Sequence, residues 1–173
     1  MKVIYKKEPG IHWIAKDVNG SIWFEDHFQI NDFHSNSQTN ETTSRVQKIL
    51  LAASELNTDF LVNHTGFLVE TQLGFSKDWG LGSSSTLVNN VSQWANVNPF
   101  YIQKKVFGGS GYDIACAQKD NPITYQLIEQ RPKVEDVAFF PSFHEHLFFV
   151  YMNIKQNSRT SIQNHYRGIS DQE

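Results

Sequence analysis

Two glycine-rich stretches of this chain carry residue types suited to handling an anion. In Trp79-Gly80-Leu81-Gly82-Ser83-Ser84-Ser85-Thr86, two glycines and three serines stand between an apolar segment and the apolar pair Leu87-Val88. That order predicts a strand, a tight turn and a helix N-terminus, where free first-turn N–H groups and the helix dipole favour negative charge. Glycine lets backbone approach a ligand, and serine hydroxyls add donors or reach a bound cation. The alternative is an ordinary serine-capped helix after a flexible loop. The second stretch, Gly108-Gly109-Ser110-Gly111-Tyr112-Asp113, has three glycines in four residues. Such a concentration is costly in conformational entropy, which argues against a mere spacer. Asp113 precedes Ile114-Ala115-Cys116-Ala117 and is expected to face the start of a buried helix or strand. A carboxylate buried there needs a pair, a metal or backbone N–H donors. The alternative at that position is a helix N-cap aspartate.

Other chemistries fail on spacing. No Gly-Lys-Ser/Thr follows either group of glycines, so the P-loop pattern is absent. Gly80-Leu81-Gly82 meets Ser85 where a dinucleotide fingerprint needs its third glycine, and no acidic residue follows at the expected reach. No serine lies within Gly-x-Ser-x-Gly. His144 and His146, two apart, would share one face of a strand, but no Glu or Cys partner stands at zinc spacing. That pair reads as surface or structural.

The elements that must position these loops follow from periodicity. Val3-Ile4-Tyr5 and Ile11 to Ala15 read as strands around a Pro9-Gly10 turn in a hairpin context. Asn19-Gly20 is a hairpin signal with Ser21-Ile22-Trp23-Phe24 on its far side. Asn31 to Asn40 reads as a surface loop. Thr42-Thr43-Ser44 can cap a helix bearing Val46, Ile49, Leu50 and Ala53 and ending near Asn57. Gly66 to Leu73 predicts a strand entering the first loop, and Thr86 to Ala95 a helix with a Leu87, Val91, Trp94, Ala95 stripe. Asn98-Pro99 opens another helix, to Phe107. Pro122 to Leu127 and His146 to Met152 are strand candidates, and a helix is expected around Ser158-Arg159-Thr160.

With 173 residues, 39% of them hydrophobic, the chain suits one domain with a real core. Its 15 basic and 18 acidic residues form no basic stripe, which points away from nucleic acid and anionic membranes. The single cysteine, Cys116, excludes an internal disulfide and a cysteine zinc cluster. The absence of an apolar opening segment or membrane-length run favours the cytosol. Asn40-Glu41-Thr42 and Asn63-His64-Thr65 match glycosylation acceptors, tripeptides that recur by chance.

Taken together, the two stretches resemble the superfamily of galacto-, homoserine, mevalonate and phosphomevalonate kinases, the GHMP kinases. Trp79 to Thr86 is similar to its phosphate-binding second motif, and Gly109-Ser110-Gly111-Tyr112-Asp113-Ile114-Ala115 to its Ser-Gly-x-Asp segment. Gly-Tyr-Asp-Ile-Ala resembles a bacterial subgroup named for those letters (GYDIA), and the likeness extends to Trp23-Phe24-Glu25-Asp26 and Lys155 to Arg159. The resemblance implies an α+β fold, the N-terminal kinase domain of the ribosomal protein S5 domain 2-like type. It implies ATP and Mg2+ as cofactors and a small, mevalonate-like metabolite whose hydroxyl accepts phosphate. Gly80, Leu81, Gly82, Ser83, Ser84, Ser85 and Thr86 would wrap the ATP phosphates, with the Ser84 hydroxyl at magnesium. Asp113 would be the catalytic aspartate, and Ser110, Gly111 and Tyr112 would shape the acceptor pocket.

The chain also departs from that pattern. No Gly-Lys element precedes residue 79, no glycine-rich third motif follows, and Lys104-Lys105 stands where many relatives place a magnesium-binding glutamate. Residues 1–155 are therefore expected to form a partial N-terminal domain, and 156–173 the start of a linker or C-terminal domain. A kinase cut in this way would be impaired and would self-associate through exposed core. The alternative is a non-catalytic remnant that binds nucleotide or a partner.

Overall fold

The structure, a computed structural model, describes residues 1–38 and 40–151. The expected helix near Ser158, the 156–173 segment and the Lys155 to Arg159 likeness lie outside the described residues. Strands β1 (Lys2–Lys6), β2 (Gly10–Lys16), β3 (Ile22–Phe28) and β4 (Gly66–Gln72) form a mixed sheet in the order β1-β4-β2-β3. β2 and β3 are the antiparallel hairpin that Asn19-Gly20 predicts: Gly20 takes φ +83° and its N–H bonds the Asp17 carbonyl at 2.8 Å. The hairpin context expected at Pro9-Gly10 is corrected. β1 and β2 do not pair, because β4 lies between them, antiparallel to β1 and parallel to β2. Burial explains the exchange. Phe67 and Val69 of β4 are almost fully buried and demand a central position, while the five-residue β1 tolerates an edge.

One sheet face is covered by helices α1 (Glu41–Leu56) and α2 (Ser83–Ala95). Ile11, Trp13 and Ala15 of β2 and Phe24 and Phe28 of β3 alternate into a core shared with Val46, Ile49, Leu50 and Ala53 of α1 and Val88, Val91 and Ala95 of α2. The other face carries the His12–Glu25 contact (2.7 Å), the Lys16–Glu70 pair (2.8 Å) and the stacked His12 and His27 rings. α1 begins earlier than expected. Asn40, not the Thr42-Thr43-Ser44 run, caps it by accepting the Thr43 N–H at 2.8 Å. The Thr43 hydroxyl donates instead to buried Asp26 (2.6 Å), which also accepts from Ser35 Oγ (2.6 Å) and the His27 N–H (2.8 Å). Asp26 thereby ties β3, the 31–40 loop and the first turn of α1 together.

Helices α3 (Pro99–Val106) and α4 (Tyr112–Cys116) pack on α2. Their contact explains why the expected α2 stripe is rotated: Asn89 donates to the Ile114 carbonyl (3.2 Å) and accepts from Gln118 (2.9 Å). Val88, Asn89 and Ser92 are buried, while Leu87 and Trp94 are half-buried. Strands β5 (Ile123–Ile128) and β6 (Arg131–Asp136) form a separate two-stranded hairpin. The described part of the expected His146 to Met152 strand is not a strand. His144–His146 is a single 3-10 turn, so the two histidines do not share a strand face, and Phe148, Phe149 and Val150 are exposed. An apolar run becomes a strand only where a partner edge accepts its N–H and C=O groups.

Candidate functional site

β4 leads through a 3-10 turn (Lys77–Trp79) into the first glycine loop. Gly80 (φ +73°) and Gly82 (φ +74°) are both left-handed, a conformation that L side chains enter at a cost. A Cβ at either would meet nothing within 4 Å, so crowding does not explain the glycines; backbone conformation does. Gly82 is the N-cap of α2 and offers no side-chain cap. The helix starts three residues before the expected Thr86, so Ser83, Ser84 and Ser85 form its first turn, and the first helical bond runs from the Thr86 N–H to the Gly82 carbonyl (3.0 Å). Those three serine N–H groups are the ones a helix start leaves without an intrahelical acceptor. Trp79 at the mouth of the loop stacks on Tyr151, with ring centroids 4.3 Å apart.

Ser83, Ser84 and Thr86 line a cavity of about 140 Å³ between the sheet, α1 and α2. Thr42, Arg45, Thr71, Gln72 and Asn90 complete its polar lining, and Arg45 is the charged side chain among the lining residues. Arg45 pairs with Glu41 one helical turn earlier, at a surface position. Sequence reasoning missed Arg45. Its signal was present: it lies four residues before buried Ile49 on the same face of α1. Ser85, by contrast, is buried within the helix packing, and Gly80 and Leu81 are exposed at the loop tip.

The second glycine loop is built differently. Gly111 (φ +81°) is buried, and a Cβ there would come within 2.9 Å of the Phe100 ring. It caps α4, so the N-cap reading of Asp113 is corrected: Asp113 stands in the first turn, two residues beyond the cap. The expected burial is corrected too. Ile114 and Ala115 are buried, but Asp113 is exposed, since the short helix turns only its apolar side inward. Among the described residues, no ion pair includes Asp113. Ser110 Oγ accepts the Tyr112 N–H at 3.3 Å, and the Ser110 carbonyl accepts the Tyr125 hydroxyl. The neighbouring Cys116 side chain, followed by burial and the Asp113 charge, raises the Tyr112 phenol above its ordinary pKa. Burial does the same for Tyr125. Both phenols are held in the neutral, hydrogen-bonding form.

The structure thus gathers Ser83, Ser84 and Thr86 around one cavity, while Ser110, Gly111, Tyr112 and Asp113 do not line it. A larger open groove of about 1220 Å³ lies at the opposite end of β4, with His12, His27 and His64 in its lining. Among the described residues, no three His, Cys, Asp or Glu side chains are grouped to hold a metal. Likewise, no helix among them is long and apolar enough to cross a membrane. Comparison of the chain with protein-family models, curated proteins and solved structures found no match.

Proposed function

We propose that this chain carries the phosphate-binding site of an ATP- and Mg2+-dependent small-molecule kinase of the GHMP type, with the S5 domain 2-like fold of that superfamily's N-terminal domain. The observation that carries the reading is the first loop. Two left-handed glycines deliver three consecutive serines to the start of a 13-residue helix, beside a cavity that holds an arginine. Phosphate oxygens suit the free N–H groups of Ser83, Ser84 and Ser85, and Arg45 supplies positive charge on the same cavity. The half-buried Ser84 hydroxyl would hold a magnesium ion beside the phosphates. Bound there, the ion would neutralise phosphate charge.

In the transfer, the acceptor oxygen forms a bond to the γ-phosphorus as the bond to the ADP oxygen breaks. The acceptor hydroxyl proton passes to the Asp113 carboxylate. Positioning and charge neutralisation supply most of such catalysis. Replacing Asp113 by Asn should lower transfer from ATP to small alcohols by at least about a hundredfold, with nucleotide affinity unchanged. Equal turnover by that variant would remove Asp113 from the reaction.

A second reading, a nucleotide- or partner-binding module without efficient catalysis, is favoured by one observation. Asp113 is exposed and outside the cavity that Ser83 and Ser84 line. Phe140, Phe148 and Phe149, each at least 80% exposed, support self-association in that reading.

A further inference from the structure

The cavity beside the first loop has a composition that defines a ligand. Its walls are apolar, from Trp13 and Phe24 of the sheet, Val46 and Ile49 of α1 and Leu87 of α2. Against them stands one charged side chain, Arg45. Met1, which carries the α-ammonium, also lines the space, and apolar walls beside positive charge select a compact hydrophobic body ending in an anion. Size narrows the choice. At about 140 Å³ the space is well below that of drug-sized pockets and close to cavities that take benzene. It is too small for a nucleoside.

We infer that this cavity binds a small carboxylic acid whose apolar body is about the size of a benzene ring, its carboxylate held by Arg45. The existing partner of Arg45 does not preclude this. The Glu41 side chain is 78% exposed and lies outside the cavity lining, so their pair is a solvated surface contact. A carboxylate approaching from the apolar side meets the same guanidinium where less water competes. Thr42, Thr86 and Asn90 offer further polar contacts in the same lining. Binding of the acid does not depend on the kinase reading.

The test is a fluorine NMR titration of the full chain, without nucleotide, using 4-fluorobenzoate and its neutral isostere 4-fluorobenzamide. Wild-type protein should bind the acid about tenfold or more tightly than the amide. The Arg45→Gln variant, changed at a partly exposed helix position, should lose that preference while keeping its affinity for the amide. Three results would overturn the inference: no binding of either compound at millimolar concentration, equal affinity for both, or an acid preference that persists in Arg45→Gln. Acid binding together with absent Mg-ATP binding would remove the kinase reading and leave this one. The reverse outcome would remove this one alone.

Discussion

The two glycine loops look alike as sequence and differ at the glycine that caps each helix, Gly82 in the first and Gly111 in the second. At Gly80 and Gly82 the positive φ angles stand in open space, so the backbone is free to meet something that is not protein. At Gly111 the same conformation is combined with a wall: the Phe100 ring occupies the place a side chain would take. The first loop opens a 13-residue helix onto a cavity, whereas the second opens a five-residue helix packed beneath α2 and α3. A glycine required by conformation alone marks a surface kept available, and one required by packing marks a joint. By that measure Gly80, Gly82, Gly108 and Gly109 stand at available surface, and among the glycines of the two loops only Gly111 is a joint.

Perturbations of stability should separate the two regions. The largest effect is expected from the framework beneath the first loop, where Asp26 anchors α1 and hence Arg45. Asp26→Ala leaves the Ser35 and Thr43 hydroxyls and the His27 N–H without their acceptor, and should cost about 4 kcal/mol in denaturant unfolding. Burial alone would raise the Asp26 pKa, but hydrogen bonds from Ser35, Thr43, Ser37 and His27 outweigh it and hold the carboxyl below its ordinary 3.8. The unfolded chain therefore takes up this proton first as pH falls. The Asp26 contribution is complete above about pH 4 and is lost as pH drops through the lower folded value. Wild-type stability should fall more steeply than that of Asp26→Asn over this range, and parallel curves would contradict the assignment.

A smaller effect sharpens the comparison directly. Gly111→Ala meets both a left-handed backbone and the Phe100 ring, and should lose about 2 to 3 kcal/mol. Gly80→Ala meets the backbone cost alone, about 1 kcal/mol. Equal losses would mean that packing does not distinguish the loops.

How much of this was legible in the sequence depended on whether the determinant was local. The β2–β3 hairpin was readable because Asn19-Gly20 is a turn of the required chemistry, and α1 because its apolar residues repeat at helical spacing. The β5–β6 hairpin was not readable in full. Its turn residues Glu129 and Gln130 both take positive φ, 49° and 65°, where Asn-Gly is the usual signal. The insertion of β4 between β1 and β2 was hidden because strand order is a tertiary choice, made by which residues must be most buried. The cavity that Arg45 lines was hidden for the same reason, being assembled from segments far apart in the chain, although the place of Arg45 on the face of α1 that carries Ile49 was readable. The glycine-serine loop was legible as a turn into a helix N-terminus, but the helix start was misplaced at Thr86 because serines are poor helix formers and good caps.

Isothermal titration of the full chain with Mg-ATP tests the central claim most directly. The first loop, as a phosphate site, predicts saturable binding with a dissociation constant of millimolar or tighter, unchanged by Asp113→Asn. Absence of any binding at millimolar nucleotide would contradict it and return Gly80 to Thr86 to the role of a simple helix start.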